Sequence, residues 1–301
     1  MLAQFTFTPN ESKKFIALSV MQSDLMKRAA AHGTVAIHPS SSTYFIAEAL
    51  LGAKPPSNTW VCGVIVPKGT CVEAGATSGA TAVASSERPG DSAATHNPGA
   101  FKNTYVIRQG QFSIGAPLDD ILSELGPDDV YIKGVNAVDP QGNVAVLIGN
   151  MVEGGTIGRV LAASRRQGFT VLCPVGLEKL IPVPVSDAAK MANRKGYVYS
   201  MGMPCSLLPC VGDTIKVVTE TSAITMLSGA SVMPIAAGGL GGAEGAVTLA
   251  VQGEESQLGK VVEMAEASKG AQLPDVRVNS CFDCTVSWCA FPVGTKPWVV
   301  M

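Results

Sequence analysis

Residues Val130 to Gly168, VYIKGVNAVDPQGNVAVLIGNMVEGGTIGRVLAASRRQG, decide how the rest of the chain is read. A short apolar strand starts at Val130 and runs through Lys133 into a polar turn with Gly134, Asn136 and Asp139. A second strand spans Val144 to Ile148, and the turn Gly154-Gly155-Thr156 opens a helix. Strand ends that meet glycine turns and helix starts are where α/β sheets hold ligands, because free backbone N–H groups converge there.

Upstream, Thr8-Pro9-Asn10-Glu11 combines a capping hydroxyl, a proline at the first helical position and a glutamate at the third. The helix it opens places Phe15, Leu18, Met21, Leu25 and Ala29 on one face and stops before Gly33. A strand, Thr34 to Ile37, leads into the turn His38-Pro39-Ser40-Ser41-Ser42-Thr43 and a helix from Tyr44 to Leu51 that ends at Gly52. The hydroxyls of Ser40, Ser41, Ser42 and Thr43, with the amides of the helix start, suit a phosphate or carboxylate. An ordinary helix cap with spare serines is the alternative. Further strands are expected at Thr59 to Val66, Tyr105 to Arg108 and Thr170 to Cys173, with a helix at Pro117 to Leu125. Between them, Ala74 to Gly99 is small, polar and aperiodic, the signature of a functional loop. Strands alternating with helices predict an α/β fold with a mostly parallel sheet covered on both faces.

From about Asp187 the pattern changes. A helix from Asp187 to Arg194, strands at Thr214 to Thr219, Ser231 to Ala236, Ala246 to Gln252 and Asp275 to Val278, and helices at Ser222 to Ser228 and Glu254 to Lys269 follow one another. The order βαββαβ predicts a C-terminal ferredoxin-like α+β domain. The chain is accordingly divided into residues 1–186 and 187–301, the latter with a tail from Cys281.

Charged residues make up 15% of the chain, against about 25% in an ordinary globular protein. A surface so poor in charge predicts a homo-oligomer. A net charge of −2 without a basic run excludes an electrostatic footprint for nucleic acid. Thr221 to Ala243 carries no charge, but its glycines, Pro234 and hydroxyls suit strands and a hairpin better than a membrane span. Eight cysteines without a secretory signal fit reduced thiols in the cytoplasm. His32, His38 and His96 have no metal-ligand spacing, and Cys281, Cys284 and Cys289 read as buried thiols, so no metal is expected. No cofactor is expected either. Gly238-Gly239-Leu240-Gly241-Gly242 lacks the lysine and hydroxyl of a nucleotide loop and reads as a hairpin tip.

Three passages resemble one superfamily. TVAIHPSSSTYFIAEAL (Thr34 to Leu50), GVNAVDPQGNV (Gly134 to Val144) and TVLCPVGLEKLIPV (Thr170 to Val183) are similar to motifs of its members. These include glucosamine-phosphate deaminases, ribose-phosphate isomerases, coenzyme A transferases, lactate-utilisation domain proteins and the sugar-phosphate-sensing domains of some bacterial repressors. The first passage resembles their phosphate-binding strand, loop and helix. The second resembles their Gly-Ala-Asn-Gly-Val-Asp turn, and the third their late strand followed by a lysine. The resemblance covers roughly residues 1–185 and implies a Rossmann-like sheet with its site at the strand tips. Two departures are plain. Asn136 and Ala137 stand where the isomerases carry an acidic pair, and Glu153-Gly154-Gly155 matches the transferase glutamate setting only loosely.

Asp139 is then either an acid/base at the strand tip or the first residue of the reverse turn DPQGN. Glu153 is either a nucleophile beside the Gly154 and Gly155 amides or a first-turn acid on a helix dipole. The expected ligand is a small anionic metabolite, a sugar phosphate or an acyl-coenzyme A. Ser40, Ser41, Ser42, Thr43, Lys133, Gly134, Asn136, Gly154, Gly155 and Thr156 would bind it, with Asp139 and Glu153 catalytic. A non-catalytic metabolite sensor on the same fold is the other expectation.

Overall fold

The computed structural model describes residues 1–56, 70–72, 103–148, 154–197, 205–275 and 278–280. The expected strand at Thr59 to Val66, the loop from Ala74 to Gly99, Glu153, His96 and the cysteines from Cys281 onward lie outside the described residues.

The chain opens with β1 (Leu2–Phe7), α1 (Pro9–Gln22), α2 (Asp24–His32), β2 (Thr34–Ile37) and α3 (Tyr44–Leu51). Next come β3 (Thr70–Val72), β4 (Tyr105–Arg108), β5 (Gln111–Ser113), α4 (Leu118–Glu124), β6 (Val130–Ile132), β7 (Ala137–Val138) and β8 (Val144–Ile148). Then follow α5 (Gly155–Gln167), β9 (Thr170–Pro174), α6 (Val185–Met191), β10 (Ser206–Cys210), β11 (Ile215–Val218) and α7 (Glu220–Ser228). The last elements are β12 (Ser231–Ala237), β13 (Val247–Gln252), α8 (Glu255–Ser268) and β14 (Val278–Ser280).

A six-stranded sheet of order β11-β9-β6-β2-β4-β5 is the centre of this mixed α/β fold. Its first four strands run parallel, and the β4–β5 hairpin adds an antiparallel edge. Both faces are buried, as the alternation of side chains along each strand requires. Val35, Ile37, Tyr105, Ile107, Val130, Ile132 and Leu172 join one apolar cluster with α1, α3, α7 and α8. Their in-between neighbours Ala36, Val106, Tyr131, Val171 and Cys173 join a second cluster with α4 and α5.

Helix α1 starts as its sequence dictates: Glu11 N donates to Thr8 Oγ1 and Thr8 N donates to Glu11 Oε2, at 3.4 and 2.9 Å. The single helix expected up to Gly33 is broken, however. Ser23 adopts an extended backbone, ends α1 and caps α2 through Met26 N. Glu11 also receives Gly270 N at 3.0 Å and pairs with Lys269, fastening the end of α8 to the start of α1. Burial pushes its carboxyl up, but the Thr8 and Gly270 amides and Lys269 outweigh that and hold it at about 2.

The expected ferredoxin-like unit is assembled otherwise. β11, read as its first strand, instead pairs in parallel with β9 at the edge of the central sheet. β12 and β13 form a three-stranded antiparallel sheet with β1, a strand not foreseen in the sequence, and β14 pairs with β3. β13 buries Val247, Leu249 and Val251 against the same cluster as Phe7 of β1, and a second neighbour for β13 is what that burial selects. The uncharged stretch from Thr221 to Ala243 is accounted for by α7, β12 and the glycine-rich turn to β13, as expected. Among the described residues no helix is long and apolar enough to cross a membrane.

Candidate functional site

The carboxyl ends of β2, β6 and β9 are neighbours in the sheet, so the residues that follow them meet at one edge. After β2, Thr43 Oγ1 donates to the His38 carbonyl at 2.8 Å and lies 3.1 Å from Ser40 Oγ, which folds the hydroxyl turn on itself. Thr43 occupies the N-cap position of α3 yet its side chain caps no amide there. The ordinary helix-cap reading of these hydroxyls therefore fails for Thr43. After β6 comes Gly134, where a Cβ would lie 2.4 Å from Ser40 Oγ and 3.1 Å from Ser40 Cβ. Only glycine lets the hydroxyl turn rest on the tip of β6.

Two lysines enter the same place. Lys133 is buried at the end of β6, and its charge, added to burial, keeps the buried His38 imidazole neutral. Lys179 arrives from the turn after β9 and donates from Nζ to Ser42 Oγ and to the Val135 carbonyl, each at 2.8 Å. Ser40, Ser42, Thr43 and Gly134 thus lie together, with Ser41 in the same turn and Lys133 next to Gly134 in the chain.

The remaining expected residues do other work. Asp139 Oδ1 accepts from the Gln141 and Asn143 amides, and Oδ2 from Val185 N at 3.0 Å, with the Asn143 side chain on both. Burial raises this carboxyl, but the side chain of Asn143 and the three amides together lower it. Such a carboxylate is the staple of a turn, which favours the reverse-turn reading of Asp139 over the acid/base one. Asn136 Oδ1 accepts from Leu147 N at 3.0 Å and so serves the β7–β8 hairpin. Gly154 and Gly155 both have positive φ, and a Cβ on Gly154 would lie 3.0 Å from a Leu208 methyl. The close approach that calls for glycine is thus the packing of the α5 start, which includes Thr156, on β10. For Glu153 no geometry is described.

A second charged group abuts the lysines and was missed in the sequence. Lys13 of α1 pairs with Glu178 at 2.9 Å, both side chains nearly buried, and Lys13 Nζ also donates to the Pro9 carbonyl. Glu220, fully buried at the start of α7, accepts Leu177 N on both oxygens at 3.1 and 2.9 Å. The two carboxyl groups flank Gly176. A Cβ there would lie 1.8 Å from Glu178 Oε2 and 3.2 Å from Glu220 Oε1. Burial, reinforced by the Glu178 charge and opposed by Ser12 and the Leu177 amide, raises the Glu220 carboxyl to about 7. Perturbed groups of this kind concentrate at functional sites. The only sequence signal was the motif Val175-Gly176-Leu177-Glu178-Lys179 after a strand; Lys13 and Glu220 lie far from it in the chain.

A pH dependence follows. A carboxyl raised on folding binds its proton more tightly in the native state. Its stabilising share is therefore complete below about pH 4.5 and lost as the pH rises through about 7. The share is on the order of 3 kcal/mol for a fully buried group. Urea unfolding from pH 4.5 to 7.5 should show Glu220→Gln gaining on the wild type as the pH rises. A constant difference between the two would show that Glu220 does not titrate in this window.

Among the described residues no three of His, Cys, Asp and Glu gather as metal ligands. A cavity of about 250 Å³ lies apart from the strand tips, around Leu25, Val217 and Met226, with Lys216 as its only charged lining residue. Compared with protein-family models, with curated proteins and with solved structures, the chain finds no match in any of the three.

Proposed function

We propose that the strand-tip site binds a small anionic metabolite and converts it by proton transfer. The observation that carries this reading is the bond of Lys179 to the Ser40–Thr43 turn, which rests on the glycine at the tip of β6, with the buried Lys133 next to that glycine adding its positive charge. Two ammonium groups and several hydroxyls in a largely desolvated corner offer the charge and donors that a phosphate or carboxylate needs. Glu220 takes the acid/base role, with Glu178 beside it across Gly176. A carboxyl near neutrality gives and takes protons at pH 7 with comparable ease. A Rossmann-like description fits the parallel core of the sheet, and a carboxyl near neutrality suits an isomerase-type proton transfer on a sugar phosphate.

Thermal denaturation with inorganic phosphate, sugar phosphates and acyl-coenzyme A separates these arms. Ligand at about a hundred times its Kd stabilises by roughly 2.7 kcal/mol, which raises the melting temperature by several degrees. Response to phosphate and sugar phosphates is expected; no response to any anion would remove the reading. The homo-oligomer belongs to the same proposal, supported by the 15% charged share and by the exposed Met233, Ile235 and Leu240 around β12. A solution mass of one chain would contradict it.

A further inference from the structure

Lys179 is bonded unlike an ordinary structural lysine. Its two partners, Ser42 Oγ and the Val135 carbonyl, are both uncharged, and among the described residues no carboxylate lies within ion-pair distance of its Nζ. The adjacent Glu178 turns away to Lys13. An ammonium has three N–H groups to place, whereas a neutral amine has two N–H groups and a lone pair. With two neutral acceptors and no counter-ion, Nζ can lose one proton without breaking either bond, and the lone pair is then open to a reacting partner.

We infer that Lys179 is a Schiff-base nucleophile for a small aldehyde or ketone that also carries a phosphate or carboxylate. The inference rests on the anion-site reading above and narrows its substrate class. Lys133 and the hydroxyl turn hold the anion, and the carbonyl meets Nζ. Burial lowers the Lys179 ammonium to about 8, and the positive charges of Lys13 and Lys133 add to this against the opposing Glu178. Desolvation beside a second cation is how an amine becomes nucleophilic at neutral pH.

In the step itself, the Nζ lone pair bonds to the carbonyl carbon as the C=O π electrons move onto oxygen. A proton passes from nitrogen to that oxygen, giving a carbinolamine. The nitrogen lone pair then forms C=N while the C–O bond breaks and oxygen, taking a further proton from the site, leaves as water. The nitrogen gives up its remaining proton or keeps it as iminium, so amine and carbonyl become imine and water without any redox partner.

Pyridoxal 5′-phosphate, an aldehyde bearing a phosphate, is a suitable probe. The full chain is mixed with an equimolar amount, reduced with borohydride and mapped by peptide mass spectrometry. The expected result is a reduced adduct on Lys179, formed faster as the pH rises through about 8 and suppressed by excess inorganic phosphate. Lys179→Arg should lose that adduct. Labelling confined to other lysines, such as Lys133 or the exposed Lys190, overturns the inference. If phosphate raises the melting temperature while Lys179 stays unlabelled, the nucleophile fails and the anion site stands. If Lys179 is labelled but phosphate does not compete, the anion-bearing substrate class is overturned.

Discussion

Lys13→Met should destabilise the protein by about 3–5 kcal/mol, because it leaves the nearly buried Glu178 carboxylate without its cation beside a second buried carboxyl group, Glu220. A surface ion pair contributes only about 0–1 kcal/mol, since water screens it and both side chains are free to leave. Neither condition holds here. The Lys13 and Glu178 side chains are 7% and 13% exposed, and Glu220 behind them is fully buried. Removing one charge costs far more than the pair contributes, because the survivor keeps its desolvation penalty without the attraction that offset it. Lys13→Met combined with Glu178→Met should therefore recover most of the loss. Urea denaturation of the two single variants and the double variant checks this. A loss below about 1 kcal/mol for Lys13→Met would place the pair in the surface class.

Gly134→Ala should leave the fold nearly intact and weaken phosphate binding about tenfold or more, a change of roughly 1.4 kcal/mol. Gly134 does not have a positive φ, so the backbone itself accepts a side chain. The difficulty is contact. The new methyl would stand 2.4 Å from Ser40 Oγ, 3.1 Å from Ser40 Cβ and 3.6 Å from Ser42 Cβ. Ser40 can rotate its hydroxyl but cannot withdraw its Cβ, so the turn is lifted from the tip of β6. Lifting it also strains the 2.8 Å contact between Ser42 and Lys179. Replacing Ser40 with glycine in the same chain removes both crowded atoms and should restore part of the binding, short of what the Ser40 hydroxyl itself contributes. Comparing melting temperatures with and without phosphate for the two chains reads the effect. Equal phosphate response in Gly134→Ala and wild type would detach the turn from the site.

Local signals made much of this architecture legible in the sequence. The capping box at Thr8 and Glu11, the strand from Thr34 to Ile37, the left-handed Gly52 and the helix opened at Gly155 each depend on a few neighbouring residues. What escaped depends on distant partners. The strand LAQFTF alternates clearly enough, but its neighbour β13 lies at the other end of the chain. β11 was grouped with the strands that follow it in sequence, whereas parallel pairing is blind to adjacency and placed it beside β9. Ser23 looks like any polar residue inside a helix until its hydroxyl is seen on Met26 N.

The site divides in the same way. Ser40, Ser42, Thr43, Lys133 and Gly134 were legible because each follows a recognisable strand, and strand ends share an edge. Asp139 stayed open between two readings because one short motif, Asp-Pro-Gln-Gly-Asn, serves a turn and a catalytic acid equally well until its hydrogen bonds are counted. Lys13, Glu178 and Glu220 come from an α1 turn, the turn after β9 and the start of α7, and no spacing rule links three such segments. Burial is what gives these three their chemistry, and burial is a property of the packed chain.

Titration calorimetry with inorganic phosphate tests the central claim most directly. At neutral pH and low salt, the account predicts saturable binding at one site per chain, strongly weakened by Lys133→Gln. No measurable heat, or a Lys133→Gln chain that binds phosphate as well as the wild type, would contradict it.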